Sequence, residues 1–273
     1  MRCSVWHLVI LMIQSLNEAL NATAQVFVLE DGVIKIIGEI DREITGEGGK
    51  LIVLTGPPGV GVTTALDHIC AINKRSVVRM RPSIYLHSPG FLERLIESFG
   101  MTIQGGNLKK VPRYLVEILN MTQRKIIVMD DFDVYWQSIE DVRRFCSEIS
   151  NLFKGCSGIN IVVSTRANKV HDWLVANNAE TSRYISIPSA TGYESTKIFS
   201  EKYANALSLE LNWRVSLPEF KYSQKTILEI ARTIRTATIV AFLRGESVLD
   251  LDLHPRKGDD YVLRRYLEIA ATA

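Results

Sequence analysis

The chain of 273 residues has 47% apolar and 23% charged side chains and a formal net charge of +2. That is the balance of a globular protein with room for one large domain, or a medium domain and a smaller companion, and it excludes disorder over the bulk of the chain. Near neutrality demands no polyanionic partner, yet it is compatible with a local stripe of lysine and arginine on one surface. Cys3, Cys70, Cys146 and Cys156 form no CxxC pair and no cluster of metal-ligand spacing. A zinc site or disulfide framework therefore has no support, and a reducing, cytoplasmic compartment is expected.

In chain order, the opening stretch "MRCSVWHLVILMIQSLNEAL" has the arginine and apolar run of a secretory signal. The run Leu8–Ile13 is short, His7 interrupts it, and no small-residue cleavage site follows. It is also too short to span a bilayer. Residues 1–24 are expected to form a helix packed on the core or on a neighbour. From about residue 25 the chain alternates β-rich runs with helical stretches, the signature of a parallel α/β sheet. Strands are expected at "KLIVLTG" (50–56), "SVVRMR" (76–81), "KIIVMDD" (125–131), "INIVVST" (159–165) and "RYISIP" (183–188). Three of these are near-continuous Ile/Val/Leu runs, as for strands covered by helices on both faces. Between them, "SPGFLERLIESFG" puts Phe91, Leu95, Ile96 and Phe99 on one helical face with Gly100 as a stop. "VPRYLVEILNMTQ" and "SIEDVRRFCSEISNLFKG" have the same periodicity.

After Pro188 the strand signal stops. "GYESTKIFSEKYANALSL", "SQKTILEIARTIRTATIVAFLRGE" and "DDYVLRRYLEIAATA" predict helices separated by turn-forming "NWRVSLPEF" and "DLHPRKGDD". The expected organisation is a nucleotide-binding α/β domain over 25–190 and a helical lid with a C-terminal helix over 191–273. No internal repeat or low-complexity tract is present.

The segment "VLTGPPGVGVTT" (53–64) carries the chemistry. Gly56, Pro57, Gly59, Val60, Gly61, Val62, Thr63 and Thr64 match the G-x-x-x-x-G-K-[ST] phosphate-binding loop at every position except the lysine, where Val62 stands. The glycines allow successive N–H groups to form an anion nest at a helix N-terminus, and Thr63 is the hydroxyl that would ligate Mg²⁺ beside the ATP phosphates. Valine supplies neither the ground-state contact nor the charge that lysine lends to the transition state. Another basic side chain could compensate, and Lys50, Arg79 and Lys125 are the candidates elsewhere in the chain. The strand "KIIVMDD" ends in Asp130, which would hold Mg²⁺ through water, and Asp131, which would orient the attacking water and is one methylene shorter than glutamate, or else it is an ordinary strand followed by a solvated acidic turn, "DDFD". Ser164, Thr165 or Asn168 in "IVVSTRAN" would report on the γ-phosphate, or else satisfy a strand end. Arg183, before the fifth strand, would act on phosphate in a neighbouring subunit or serve as a surface residue.

These elements together resemble the AAA+ ATPases, a five-stranded P-loop sheet joined to a helical lid, over residues 45–245. Within that superfamily, "SVVRMRPSIYLHSPGFLERLIESFGMTI", "IIVMDDFDVY" and "SRYISIP" are similar to the MuB, TniB and TnsC group of transposition regulators. The resemblance implies an ATP- and Mg²⁺-dependent homo-oligomer, a ring or filament on double-stranded DNA, that recruits a transposase for recombination. It implies Arg183 as an arginine finger acting in trans, Thr165 or Asn168 as first sensor, and Arg232 or Arg235 as second sensor. Val62 and Asp131 depart from the pattern and bear on hydrolysis more than on binding. Lys109, Lys110, Arg113, Arg143, Arg144 and Lys154 are the basic residues that would contact DNA in such a ring, or else decorate solvated helix faces. A replication-type loader or initiator, and a non-catalytic scaffold of the same fold, are the competing functions.

Overall fold

The apolar runs pair as expected: β1, β3 and β4 are buried along almost their whole length, which calls for a parallel sheet between helical layers. In the computed structural model, residues 31–46, 48–80, 90–101, 108, 110–136, 138–166, 168–178, 182–188, 193–206, 209–211, 226–244 and 248–249 are described. The expected N-terminal helix (1–24), the C-terminal helix at 259–273 and Lys109 lie outside them. The described chain falls into two compact units, one spanning Gly32–Ser189 and the other containing the residues after Ala190.

In the first unit the order is α1 (Asp31–Thr45), β1 (Leu51–Thr55), α2 (Val62–Ile72), β2 (Val77–Met80), α3 (Phe91–Glu97), α4 (Arg113–Met121) and β3 (Ile126–Met129). There follow α5 (Phe132–Tyr135), α6 (Ile139–Gly155), β4 (Asn160–Thr165), α7 (Asn168–Asn178) and β5 (Ser182–Ser186). The sheet order is β2-β3-β4-β1-β5, with every pairing parallel. The central strand β1 is in register with β4 from Leu51↔Ile161 to Thr55↔Thr165 and with β5 from Leu51↔Ser182 to Thr55↔Ser186. All carboxyl ends therefore share one edge, the edge at which parallel α/β sheets bind ligands.

Alternation along the strands sends Leu51, Val53, Ile127, Met129, Ile161 and Val163 into one core with the α3, α4 and α6 side chains. The intervening Ile52, Leu54, Val128 and Val162 are equally buried, as are the inward stripes of α1 (Val33, Ile36, Ile37, Ile40, Ile44) and α2 (Ala65, Leu66, Ile69). Phe91, Leu95 and Ile96 are buried on α3, and Gly100 ends that segment at φ +75°. The α6 helix starts at a capping box, with Ser138 Oγ accepting from Asp141 N at 3.1 Å.

Glu43 on α1 accepts from Lys50 Nζ at 2.8 Å and faces Arg183 Nε at 3.4 Å. The Lys50 hydrogen bond, then the positive charges around it, hold its carboxyl below the usual carboxylate range. A carboxylate whose pKa is depressed on folding contributes stability above its unfolded value, and loses it as pH falls through the folded value. Glu43→Gln should therefore lower the melting temperature at neutral pH, with the gap from wild type closing below about pH 4. Melting curves across that range check it, and a pH-independent gap would deny the ion pairs their role.

The second unit contains α8 (Tyr193–Ala206), β6 (Glu210–Leu211), α9 (Ile227–Arg244) and β7 (Val248–Leu249). The two helices were expected. The expectation that strands end at Pro188 is corrected by the short parallel pair β6–β7, Glu210↔Val248 and Leu211↔Leu249. Two residues per strand are too few for any alternation to register in the sequence.

Candidate nucleotide site

The loop leaves β1 at Gly56, where a Cβ would come within 2.8 Å of Val60 Cγ2 and 3.2 Å of the Ile187 carbonyl. Only glycine fits so close an approach. Gly59 and Gly61 have φ of +84° and +100°, and Gly61 caps α2, whose first bond runs from Ala65 N to Gly61 O at 2.8 Å. The N–H groups of the first turn, at Val62, Thr63 and Thr64, have no carbonyl one turn earlier in the helix to bond. They are the groups that take an anion at a helix N-terminus.

Val62 is only 8% exposed, and its Cγ2 lies 3.1 Å from where a Gly56 Cβ would stand. It thus packs across the base of the loop as the first carbons of a lysine stem would, without the charge. Val60 is buried and Pro57 exposed, while Thr63 and Thr64 are half-buried.

Beside β1, the ends of β4 and of β3 beyond it interlock. Ser164 Oγ donates to Asp130 Oδ1 at 2.5 Å and accepts from Asp131 N at 2.8 Å. Asp131 N also lies 3.1 Å from Asp130 Oδ1, and Asp131 has φ 50°, ψ 53°, a left-handed conformation that aspartate tolerates better than most side chains. Arg166 grips the same acid with both arms, Nε to Oδ1 at 2.9 Å and Nη2 to Oδ2 at 3.4 Å, while its backbone N donates to Asp133 Oδ1 at 3.1 Å. Burial, followed by the charge of Asp130, pushes the Asp131 carboxyl above its ordinary value, with Arg166 opposing. Thr165 is fully buried, and its hydroxyl has no partner among the described residues. A buried orphan hydroxyl at this edge fits a polar ligand.

The loop, Asp130, Ser164 and Thr165 thus share the carboxyl edge. The other candidates lie elsewhere or are engaged. Lys50 and Lys125 precede β1 and β3, at the opposite edge, and four to five strand residues (roughly 15 Å) separate them from the loop, so neither replaces the lysine. Arg79 pairs with Asp67 of α2. Arg183 is the second residue of β5, opposite Ile52, more than half exposed and paired with Glu43. Asn168 opens α7, and its side chain lies outside the described residues. In the second unit, Arg235 Nε donates to Tyr203 Oη at 2.7 Å. Sequence reasoning missed Arg166, because a pair formed across 35 positions leaves no periodic mark.

Arg166 bonds both oxygens of Asp131 and so competes with water for that carboxylate. Exposed ion pairs of this kind are weak, so Arg166→Ala should raise phosphate release about two- to fivefold with little change in ATP affinity. Single-turnover assays beside equilibrium binding read the two separately. A fall in affinity instead would make Arg166 a phosphate contact.

Residues 44–174 match the AAA domain family. No curated protein sequence matches the chain. Among solved structures, domain III of the Thermotoga maritima replication initiation protein DnaA is similar at TM-score 0.54 and 16% identity, over 82% of this chain and 90% of that one. The Thermotoga maritima RuvB Holliday junction branch migration motor is similar at TM-score 0.55 and 14% identity, over 83% and 67%. At such identities the likeness is one of fold, and it extends beyond the matched domain. No helix among the described residues is long and apolar enough to cross a membrane.

Proposed function

We propose that this chain, an AAA+ P-loop protein, holds Mg²⁺–ATP at the carboxyl edge of its sheet, turns it over slowly, and uses occupancy of that site to assemble on double-stranded DNA. The observation that carries this reading is the pairing of an intact loop geometry at Gly56–Thr64 with the Ser164–Asp130 hydrogen bond, while Val62 stands in the lysine position. Thr63 and Asp130 would hold Mg²⁺, which neutralises phosphate charge when bound. The nest of N–H groups binds the phosphates, Thr165 offers its hydroxyl, and Asp131 orients water only when Arg166 lets it go. Asp131 and, from a neighbouring subunit, Arg183 are the proposed catalytic residues. The cofactor reading extends to Val60 and Thr64 in the loop, and to Asn168 and Arg235 as sensors.

The partner proposed on the strength of the three segments similar to transposition regulators is a transposase, with the chain marking target DNA for it. The DnaA neighbour, matched over nine-tenths of its length, favours a second reading as an initiator of replication. Sedimentation of the protein with duplex DNA, with and without Mg²⁺–ATP, tests the shared part. ATP-dependent co-sedimentation supports a DNA-bound oligomer, and its absence leaves a scaffold acting through protein contacts. Stimulation of strand transfer by a transposase, set against duplex opening at an origin, then separates the two DNA readings.

A further inference from the structure

The edge of the sheet opposite the nucleotide site gathers cations from successive turns. Lys74 and Arg75 precede β2, Arg124 and Lys125 precede β3, Lys154 ends α6 before β4, and Lys50 precedes β1. Backbone bonds place these turns side by side. Lys125 N donates to Ser76 O at 2.9 Å, Asn160 N to Lys125 O at 2.8 Å, and Gly49 N to Ile159 O at 2.7 Å. Arg124 Nη1 donates to Lys74 O at 3.0 Å, and a Cβ on Gly158 would lie 3.8 Å from Lys125 Nζ.

Lys74, Arg75, Lys125 and Lys154 are exposed. At the end of α1, Glu43 pairs with Lys50 and Arg183, and Asp41 accepts from Asn73 Nδ2 at 3.4 Å. Each of these turns follows the carboxyl end of a helix, α1, α2, α4 or α6, where the helix dipole favours cations, and the strand order sets those four ends in one row. Six of the chain's 32 lysines and arginines, Lys50, Lys74, Arg75, Arg124, Lys125 and Lys154, thus lie on this one edge.

We propose that this amino-terminal edge is a nucleic-acid surface whose lysines and arginines contact the phosphates of duplex DNA. The proposal rests on the DNA-bound reading above and names the surface through which it works. From β2 to β1 the row spans three strand spacings, about 14 Å. That length lets the row run beside successive phosphates of one DNA strand. Flexible cations on turns suit contact with the backbone rather than with base edges. Among the alternative basic positions Arg113 pairs with Glu117 at 3.0 Å and Arg144 with Glu148 at 2.7 Å, while Lys110 and Arg143 are exposed like the cations of the row.

The test is binding of the full chain to a fluorescent duplex across a salt series, for wild type, for Lys74→Glu/Arg75→Glu/Lys125→Glu, and for Lys110→Glu/Arg113→Glu/Arg143→Glu. Each lost phosphate contact flattens the slope of log affinity against log salt by about 0.9. The first variant is therefore expected to bind at least tenfold more weakly with a slope shallower by about 2.7, while melting temperature and ATP binding match wild type. The second variant is expected to bind as wild type does. Wild-type DNA binding that survives the first variant, or that the second abolishes instead, overturns the surface while sparing the DNA reading. Wild type that binds no duplex in any nucleotide state overturns both.

Discussion

Val62→Lys should strengthen Mg²⁺–ATP binding by about ten- to a hundredfold and raise phosphate release by about a hundred- to a thousandfold. The first figure follows from a charged hydrogen bond to phosphate, worth about 1.5–3 kcal/mol. The second follows from charge aimed at a developing anion, whose removal costs other enzymes roughly that factor in rate. Val62 stands in the first turn of α2 with its Cγ2 beside Gly56, the position from which a lysine reaches the phosphates. Isothermal titration and a phosphate-release assay read the two effects. An unchanged affinity would mean that the nest at Gly56–Thr64 does not receive phosphate at all.

Phe145→Ala should cost about 3–5 kcal/mol of stability, the usual range for emptying an aromatic core position. Phe145 is fully buried, 4.6 Å from the ring of Phe132 and 5.3 Å from those of Phe91 and Trp136. The cluster thus joins α6 to α3 and to the single turn α5 that directly follows Asp131. The denaturation midpoint should fall with an unchanged slope. Because Phe132 neighbours Asp131 in the chain, turnover should fall in the same variant under conditions where it is still folded. A loss below about 1 kcal/mol would mean that the surroundings collapse into the space.

The strands were legible because burial on both faces writes itself as unbroken runs, and "LIVLT", "IIVM" and "NIVVST" became β1, β3 and β4. The loop was legible for a different reason: its glycines mark positions that no other residue can hold, as the crowding at Gly56 shows. Helix α1 was available in the spacing of Val33, Ile36, Ile37, Ile40 and Ile44, but it sits before the first strand, where no βα alternation calls for it. The short α5 was hidden inside "DDFDVY", whose acids drew the eye to chemistry.

What the sequence could not carry is adjacency between strand ends. Ser164 was one of three equal candidates until the register set β4 beside β3 and brought its hydroxyl to Asp130. The Arg166–Asp131 pair and the cations of the amino-terminal edge depend on the same register. Lys50 and Lys125 stand at the starts of their strands, and the parallel sheet therefore places them at the edge away from the loop.

Calorimetric titration of Mg²⁺–ATP into the wild-type chain and into Asp130→Ala tests the nucleotide site most directly. Saturable binding by wild type, weakened at least tenfold in Asp130→Ala, is the predicted result for a site built from the loop and a carboxylate held by Ser164. No binding by wild type at millimolar nucleotide would contradict it, and would leave an AAA+ fold whose work is done by its surfaces.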